Sequence, residues 1–514
     1  MAKDYINLDL PPGIRANGTE YANRGAWIDG SRVRWANNAI RPIGGWTRFE
    51  IQGAALPALF PGPATEAARA LMSWRLNDGA TMCAAATNNK VYAWGGLNAN
   101  VHDITPLDFA PRPKQPTAQS GYGNWYYGTG AYGRQRPYDE DMEMAFSWTL
   151  RPWGQNLLLA PNGAPSKLYQ WDTNFGNRAT IVPNAPDNFD CFHVTNQRIV
   201  MVAGDGANPR LVKWSDSEDL EDWEPRADNK AGFQQLQGVG RFRAIVPLQD
   251  QVILVSETDA YAASYIGAPF VFSFDQLAEN CGTPSPLAVV SNGNVVMWPG
   301  YNSFFVCDGN SVNQVPCDVM DRFAASLNAA QASKTVGFVN PYWTEFWWLY
   351  QEGPDDIDSY IYYDWAGQYW GYGKLSRTAG GGYATVGGLL MIAPDGKVYR
   401  HEQSGVLPID DRPSEVFAVS GPIEMAKGNR VQYVKSIQPD FMEAGQVDVT
   451  LIGRDRPGGP EIAFGPYTIS YPALTSQPVP TRARGHTIKV KIEGKSGGWA
   501  LGSMRLDFNI GGEK

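Results

Sequence analysis

The stretch RALMSWRLNDGATMCAAATNNKVYAWGG, residues 69–96, decides the fold of this chain. Its three short apolar runs are separated by Asn77-Asp78-Gly79 and by Asn88-Asn89. Asn, Asp and Gly tolerate the positive φ of tight hairpin turns, so the stretch reads as three antiparallel strands in succession. The last strand has a small apolar–aromatic centre at Val91, and that centre recurs along the chain. It reappears in PSKLYQWD around Leu168, PRLVKWSD around Val212, TDAYAASY around Tyr261, NSFFVCDGN around Phe305, SYIYYDW around Ile361 and DGKVYRHE around Val398. The centres lie 77, 44, 49, 44, 56 and 37 residues apart. Repeats of ~40–50 residues with several short strands each are the pattern of propeller blades. The long first interval contains a Gly/Tyr-rich insertion at about 111–150. Seven centres predict an all-β propeller of about seven blades. Six or eight stay open, because WIDGSRVRW (27–35) offers a further strand.

Working outward, the pattern changes after about residue 405. Residues 413–514 hold 12 Lys/Arg and 10 Asp/Glu, a net of +2, against −9 for the whole chain, so residues 1–412 carry −11. VQYVKSIQPDFM, QVDVTLIGRD, HTIKVKIEG and WALGSMRLDFNI alternate apolar and polar residues between Gly- and Pro-rich turns. Such strands predict a compact C-terminal β-sandwich. The expected organisation is an N-terminal arm with first strands over 1–50, a propeller over 51–405 and the sandwich over 406–514. One segment, DVMDRFAASLNAAQASK, reads as a short helix capped by Asp318, with Val319, Met320, Phe323 and Leu327 on one face.

Composition narrows the function classes. Of 514 residues, 18% are charged and 12% aromatic, and 43% are apolar, enough for a large core. The acidic balance argues against a basic nucleic-acid-binding surface. No run of ~18 apolar residues occurs, so no membrane-spanning segment is expected. Pro11, Pro12 and Gly13 interrupt the place where a signal peptide would need an apolar stretch. Five scattered cysteines form no C-x-x-C, and the four histidines have no metal-ligand spacing. Buried free thiols in a reducing cytoplasm are the expectation.

Motifs for chemistry are weak. Gly128, Gly130 and Gly133 spell G-x-G-x-x-G, yet a dinucleotide loop needs a buried strand before it and a helix after it. Here the flanks are Tyr-rich, and Arg134, Arg136 and Pro137 follow. WSDSEDLEDWEP (214–225) gathers six carboxylates but lacks the central Gly of a calcium loop, so it reads as a solvated acidic turn with a packed Trp. No G-x-S-x-G, Walker loop or H-E-x-x-H occurs. No catalytic residue, cofactor or metal site is therefore expected. Tyr122, Trp125, Tyr126, Tyr127 and Tyr132 in the Gly/Tyr stretch are the candidates for an interaction or gating surface, because Tyr and Trp are enriched in interface cores.

Four segments carry a family resemblance: LPPGIRANGTEYANRGAWIDGSRVRWANNAIRPIGGW (10–46), VKWSDSEDLEDWEP (212–225), VGRFRAIVPLQDQVILVSETDAYAASYIG (239–267) and YIYYDWAGQYWGYGKL (360–375). Together they resemble the tail hub or nozzle proteins of short-tailed bacteriophages, also called packaged-DNA stabilisation proteins. The resemblance implies a structural virion protein, without enzymatic activity, assembled in the host cytoplasm into the virion tail. It further implies a homohexameric ring below the portal, docked to adaptor proteins and to tail fibres, spikes or needles. Double-stranded DNA would pass through the ring during ejection without sequence-specific binding. Six chains of −9 would give such a ring about −54, and an acidic wall repels phosphates instead of gripping them. The alternative expectation is a carbohydrate-binding or glycoside-hydrolysing propeller of a phage particle.

Overall fold

A computed structural model describes residues 4–513, apart from 97, 115–144, 164, 327–330, 354–355, 382–384, 386, 407, 409–414, 426–429 and 473–477. Seven four-stranded antiparallel sheets follow one another, six of them at 68–103, 148–181, 191–235, 242–279, 290–315 and 336–374. The seventh takes three strands from 379–403 and its fourth from β5 (Gly45–Arg48) near the other end of the chain. The innermost strands touch in sequence from Ala68–Arg75 through Trp148–Trp153, Cys191–Val194, Phe242–Leu248, Val290–Ser291 and Val336–Asn340 to Ala379–Gly381. The last of these returns to the first, which closes a seven-bladed propeller.

The recurring centres have a single structural meaning. Val91, Val212, Tyr261, Phe305, Ile361 and Val398 lie on the third strand of blades 1, 3, 4, 5, 6 and 7, and Leu168 directly precedes that of blade 2. Both faces of a third strand are covered, one by each neighbouring blade, so its apolar–aromatic content is high wherever it occurs. Trp94, Trp171 and Tyr360, on these strands, are fully buried. Blade 7 closes through β5, whose Arg48, Thr47 and Gly45 pair with Tyr399, Arg400 and Gln403.

The sandwich draws on both ends of the chain. One sheet runs β3 (Val33–Ala36), β4 (Ala39–Pro42), Ala500–Glu513, Arg430–Glu443, Val479–Gly485, with β1 (Asp4–Leu8) also paired to Ala500–Glu513. The other runs β2 (Trp27–Ser31), Phe417–Ser420, Thr487–Gly494, Gly445–Arg454, Glu461–Tyr471. Val447, Val449 and Leu451 alternate along one strand and are fully buried, as expected of a face turned toward a second sheet. The N-terminal stretch is thus woven into the sandwich. WIDGSRVRW supplies β2 and β3 to opposite sheets and does not form an eighth blade.

The helix forms where the sequence places it, as α1 (Met320–Ser326). Phe323 packs against Phe304 of blade 5 and Tyr350 of blade 6, with ring centroids 5.3 and 5.0 Å apart. Its cap differs from expectation. The Asp318 carboxylate lies 3.7 Å from Arg15, while Asn17 Oδ1 accepts the Asp321 N–H at 3.1 Å. Asn17 Nδ2 donates to the Cys317 carbonyl at 2.7 Å, so the N-terminal stretch caps a helix about 300 residues away. Cys83, Cys191, Cys281 and Cys307 are buried free thiols and Cys317 is half-buried. Among the described residues, no helix is long and apolar enough to cross a membrane.

Candidate functional site: the loop base and the junction cleft

Tyr122, Trp125, Tyr126, Tyr127 and Tyr132 lie outside the described residues. In sequence their segment follows Lys114, after the last strand of blade 1, and precedes Ala145, just before blade 2. Both ends meet a buried charge cluster. Arg69, on the innermost strand of blade 1, donates to Asp356 at 2.8 and 3.1 Å. Lys114 Nζ lies 3.5 Å from the same carboxylate, and Lys334 Nζ lies 4.0 Å from it. Ser333 Oγ donates to the Ala145 carbonyl at 3.2 Å. Burial alone would raise Asp356, but the charge and hydrogen bonds of Arg69, with Lys334, hold it down at about 2. Burial and the Arg69 charge bring the Lys334 ammonium down to about 8, against the pull of Asp356. Among the described residues, Arg69, Lys114 and Lys334 thus gather around the one carboxylate of Asp356.

The second feature is a cleft of about 850 Å³ between blade 6, β1–β4 and the sandwich. Trp27, Trp35 and Tyr369 form its floor, and Tyr342, Trp343 and Met442 line it further out. Trp27 and Trp35 are tilted with centroids 6.3 Å apart, and Trp35 meets Tyr369 edge-on at 5.9 Å. The Tyr369 hydroxyl donates to the Trp35 carbonyl. Tyr342 is 66% exposed and Met442 52%. Polar groups at the cleft are Asp9, Asp364, Asp440 and the β3–β4 turn Asn37-Asn38, whose φ values of 55° and 59° suit a two-residue hairpin. Asp364 is already committed: it accepts from Thr344 Oγ1 at 3.0 Å and from the Ala366 and Gly367 amides at 2.8 and 2.9 Å.

Behind this cleft sits a deeply buried ion cluster. Arg34 on β3 donates to Glu402 of blade 7 through two bonds of 2.7 Å. Its other edge faces Glu345 of blade 6 at 3.0 Å. Trp343 Nε1 donates to Glu402 at 3.0 Å, and the Arg34 guanidinium lies 4.5 Å from the Trp343 ring centroid. Burial pushes Glu345 above the usual carboxyl range; Arg34 opposes this and Glu402 adds to it. The cluster welds propeller to sandwich. No local motif announces it, because its members are 311 and 368 residues apart in sequence.

The acidic turn at 214–225 behaves as a turn. Asp216 accepts the Ser217 and Lys230 amides at 2.7 and 2.9 Å, and the buried Trp223 donates to the Leu220 carbonyl at 2.7 Å.

No family model matches the chain, and no curated protein matches it either. Among solved structures, it is similar to PorZ, an essential bacterial surface component of the type-IX secretion system of Porphyromonas gingivalis. The identity is 8% and the TM-score 0.36, over 73% of this chain and 44% of that one. The chain therefore spans less than half the length of that neighbour.

Proposed function

We propose that this chain is a structural, non-enzymatic virion protein: one of six subunits of the tail nozzle of a short-tailed bacteriophage. It retains packaged DNA and passes it during ejection, below the portal and adaptor proteins. The reading is carried by the sequence resemblance, whose four segments make up much of the frame of the fold. Residues 10–46 build β2–β5 and the weld to blades 6 and 7. Residues 212–225, 239–267 and 360–375 belong to blades 3, 4 and 6. A closed propeller welded to a sandwich suits a part that must hold its shape while DNA moves past it. The aromatic segment at 115–144, anchored at Lys114 and Ala145, serves in this reading as the subunit contact or gate. Electron microscopy of the purified chain and of assembled particles tests it. The expected result is a six-fold ring on the tail axis; particles in which this chain forms no axial ring overturn the assignment. Deleting residues 118–136 should leave the propeller folded and impair ring assembly or DNA retention.

The junction cleft favours a second reading, carbohydrate binding. Aromatic surface beside Asp and Asn side chains is the chemistry that holds sugar rings and their hydroxyls. Titration with neutral oligosaccharides, against Tyr342→Ala as control, decides it: no saturable binding removes this reading.

A further inference from the structure

Three deeply buried arginines of this chain, Arg34, Arg69 and Arg210, are matched to carboxylates, whereas the half-buried Arg151 on the inner ring of the propeller is not. Arg34 has Glu345 and Glu402, Arg69 has Asp356, and Arg210 meets Asp259 through two bonds of 3.0 Å. Arg151 lies on the innermost strand of blade 2, Trp148–Trp153. Along that strand Trp148 and Leu150 turn into the core shared with blade 1, so Arg151 turns the other way, toward blade 3. There its Nε donates to His193 Nδ1 at 3.2 Å, and its Nη1 donates to the Leu150 carbonyl at 3.1 Å. Among the described residues no carboxylate pairs with it.

Donor accounting sharpens the mismatch. A guanidinium carries five N–H groups and no acceptor, so three remain after these two bonds. Because His193 Nδ1 accepts from Arg151, the imidazole carries its proton on Nε2 and presents a further donor. The histidine supplies no charge: burial, and then the Arg151 cation, push it well below its usual range. Burial brings Arg151 down to about 10, which leaves it charged at neutral pH. Asp190 and Glu257, beside strands of blades 3 and 4, face other cations. Asp190 lies 3.1 Å from Arg241, and Glu257 pairs with Arg243 and accepts the Arg241 amide at 3.0 Å. Arg151 is packed about by protein yet keeps part of its surface open. A crowded cation without a carboxylate partner offers donors alone, and such a site is completed by an anion.

We infer that Arg151, with His193, forms a binding site for a small oxyanion between the innermost strands of blades 2 and 3. Planar or tetrahedral oxyanions fit the open fork of the guanidinium, which can hold two oxygens at once. The inference is independent of the nozzle and carbohydrate readings, because it concerns the interior of the propeller and not its outer surfaces.

The test uses the full chain and titrates inorganic phosphate, sulfate and acetate against sodium chloride at matched ionic strength. Melting temperature and calorimetric heat are the readouts. The expected result is a saturable rise in melting temperature of ~2–3 °C at a hundredfold excess over the dissociation constant, if the chain unfolds as one unit. Sodium chloride should not reproduce it. Arg151→Gln should abolish the anion response, whereas a merely structural role would lower stability equally with and without anion. Should Arg151→Gln fail to fold, Arg151→Lys keeps the charge but loses the fork, and should weaken anion affinity at least tenfold. A response absent from the parent chain, or fully retained in the folded variant, overturns the inference.

Discussion

Arg34 and Glu402 face each other through two 2.7 Å hydrogen bonds, tying the third strand of the chain to its last propeller blade. With Glu345 on the other edge, one guanidinium holds two buried carboxylates. Burial is the main cause that raises Glu345, to about 8; Glu402 adds to it and Arg34 opposes it. Such a cluster defines how two domains meet more than it adds stability, since desolvation offsets much of its Coulomb attraction.

Removing its cation is therefore expected to be severe. Arg34→Ala leaves two buried carboxylates facing each other and should lose about 3–5 kcal/mol, read from denaturant unfolding. Glu345→Gln should behave oppositely with pH. A carboxyl raised in the folded state ionises first in the unfolded chain, so stability falls as pH rises above the ordinary carboxyl range. The glutamine variant should flatten that decline; an unchanged pH profile would show that Glu345 is not its source.

At the loop base the sign is reversed. Asp356 is held at about 2 against an ordinary value of 3.8, because Arg69 and Lys334 outweigh the effect of burial. Its contribution is complete above the unfolded value and is lost as pH falls from 3.8 to about 2. The amount is on the order of 2 kcal/mol. Asp356→Asn should remove this acid-sensitive part, measured as melting temperature between pH 5 and pH 2.

Blade closure has a steric requirement. A Cβ on Gly45 would stand 2.3 Å from the Val406 carbonyl oxygen, on backbone that cannot swing aside. Gly45→Ala should cost ~1–3 kcal/mol and expose blade 7 to proteolysis first. Digestion that starts in another blade would argue against closure as the weak point.

Trp347 tests the core of blade 6. It is buried and stacks near-parallel on Tyr360 at 4.6 Å, Tyr362 at 5.4 Å and Phe338 at 6.1 Å, while its Nε1 donates to Glu345 at 2.7 Å. Trp347→Ala should lose ~3–5 kcal/mol. Trp347→Phe keeps most of the stacking and should lose clearly less in the same unfolding assay.

The blade count was legible because each third strand is covered by two neighbours and so repeats one composition. Val91, Val212 and Tyr261 carry that signal without any knowledge of their partners. What escaped the sequence is pairing across the chain. β2 reads as a strand from Trp27 to Ser31, but nothing local says that it pairs with Phe417–Ser420 instead of adding a blade. Asp318 looked like the helix cap for the same reason, since the competing Asn17 sits about 300 residues away. The aromatics of the 115–144 segment were visible as composition, whereas the charge cluster at its base depends on Arg69, Lys334 and Asp356 meeting in space. Arg34 and Arg151 are likewise ordinary letters until burial shows one matched with two acids and the other with none.

The use of β5 as the last strand of the last blade sets an order on biosynthesis. Residues 45–48 emerge from the ribosome early but find their partners only when 399–403 have been made, and β1 and β4 wait for 500–513. Six blades can begin to stack as they appear, yet the ring closes only once residues 399–403 have been made, and the first sandwich sheet only once residues 500–513 have. A chain terminated before those residues would therefore keep open strand edges and stay a substrate for proteases, so that only chains that carry them have both sheets closed.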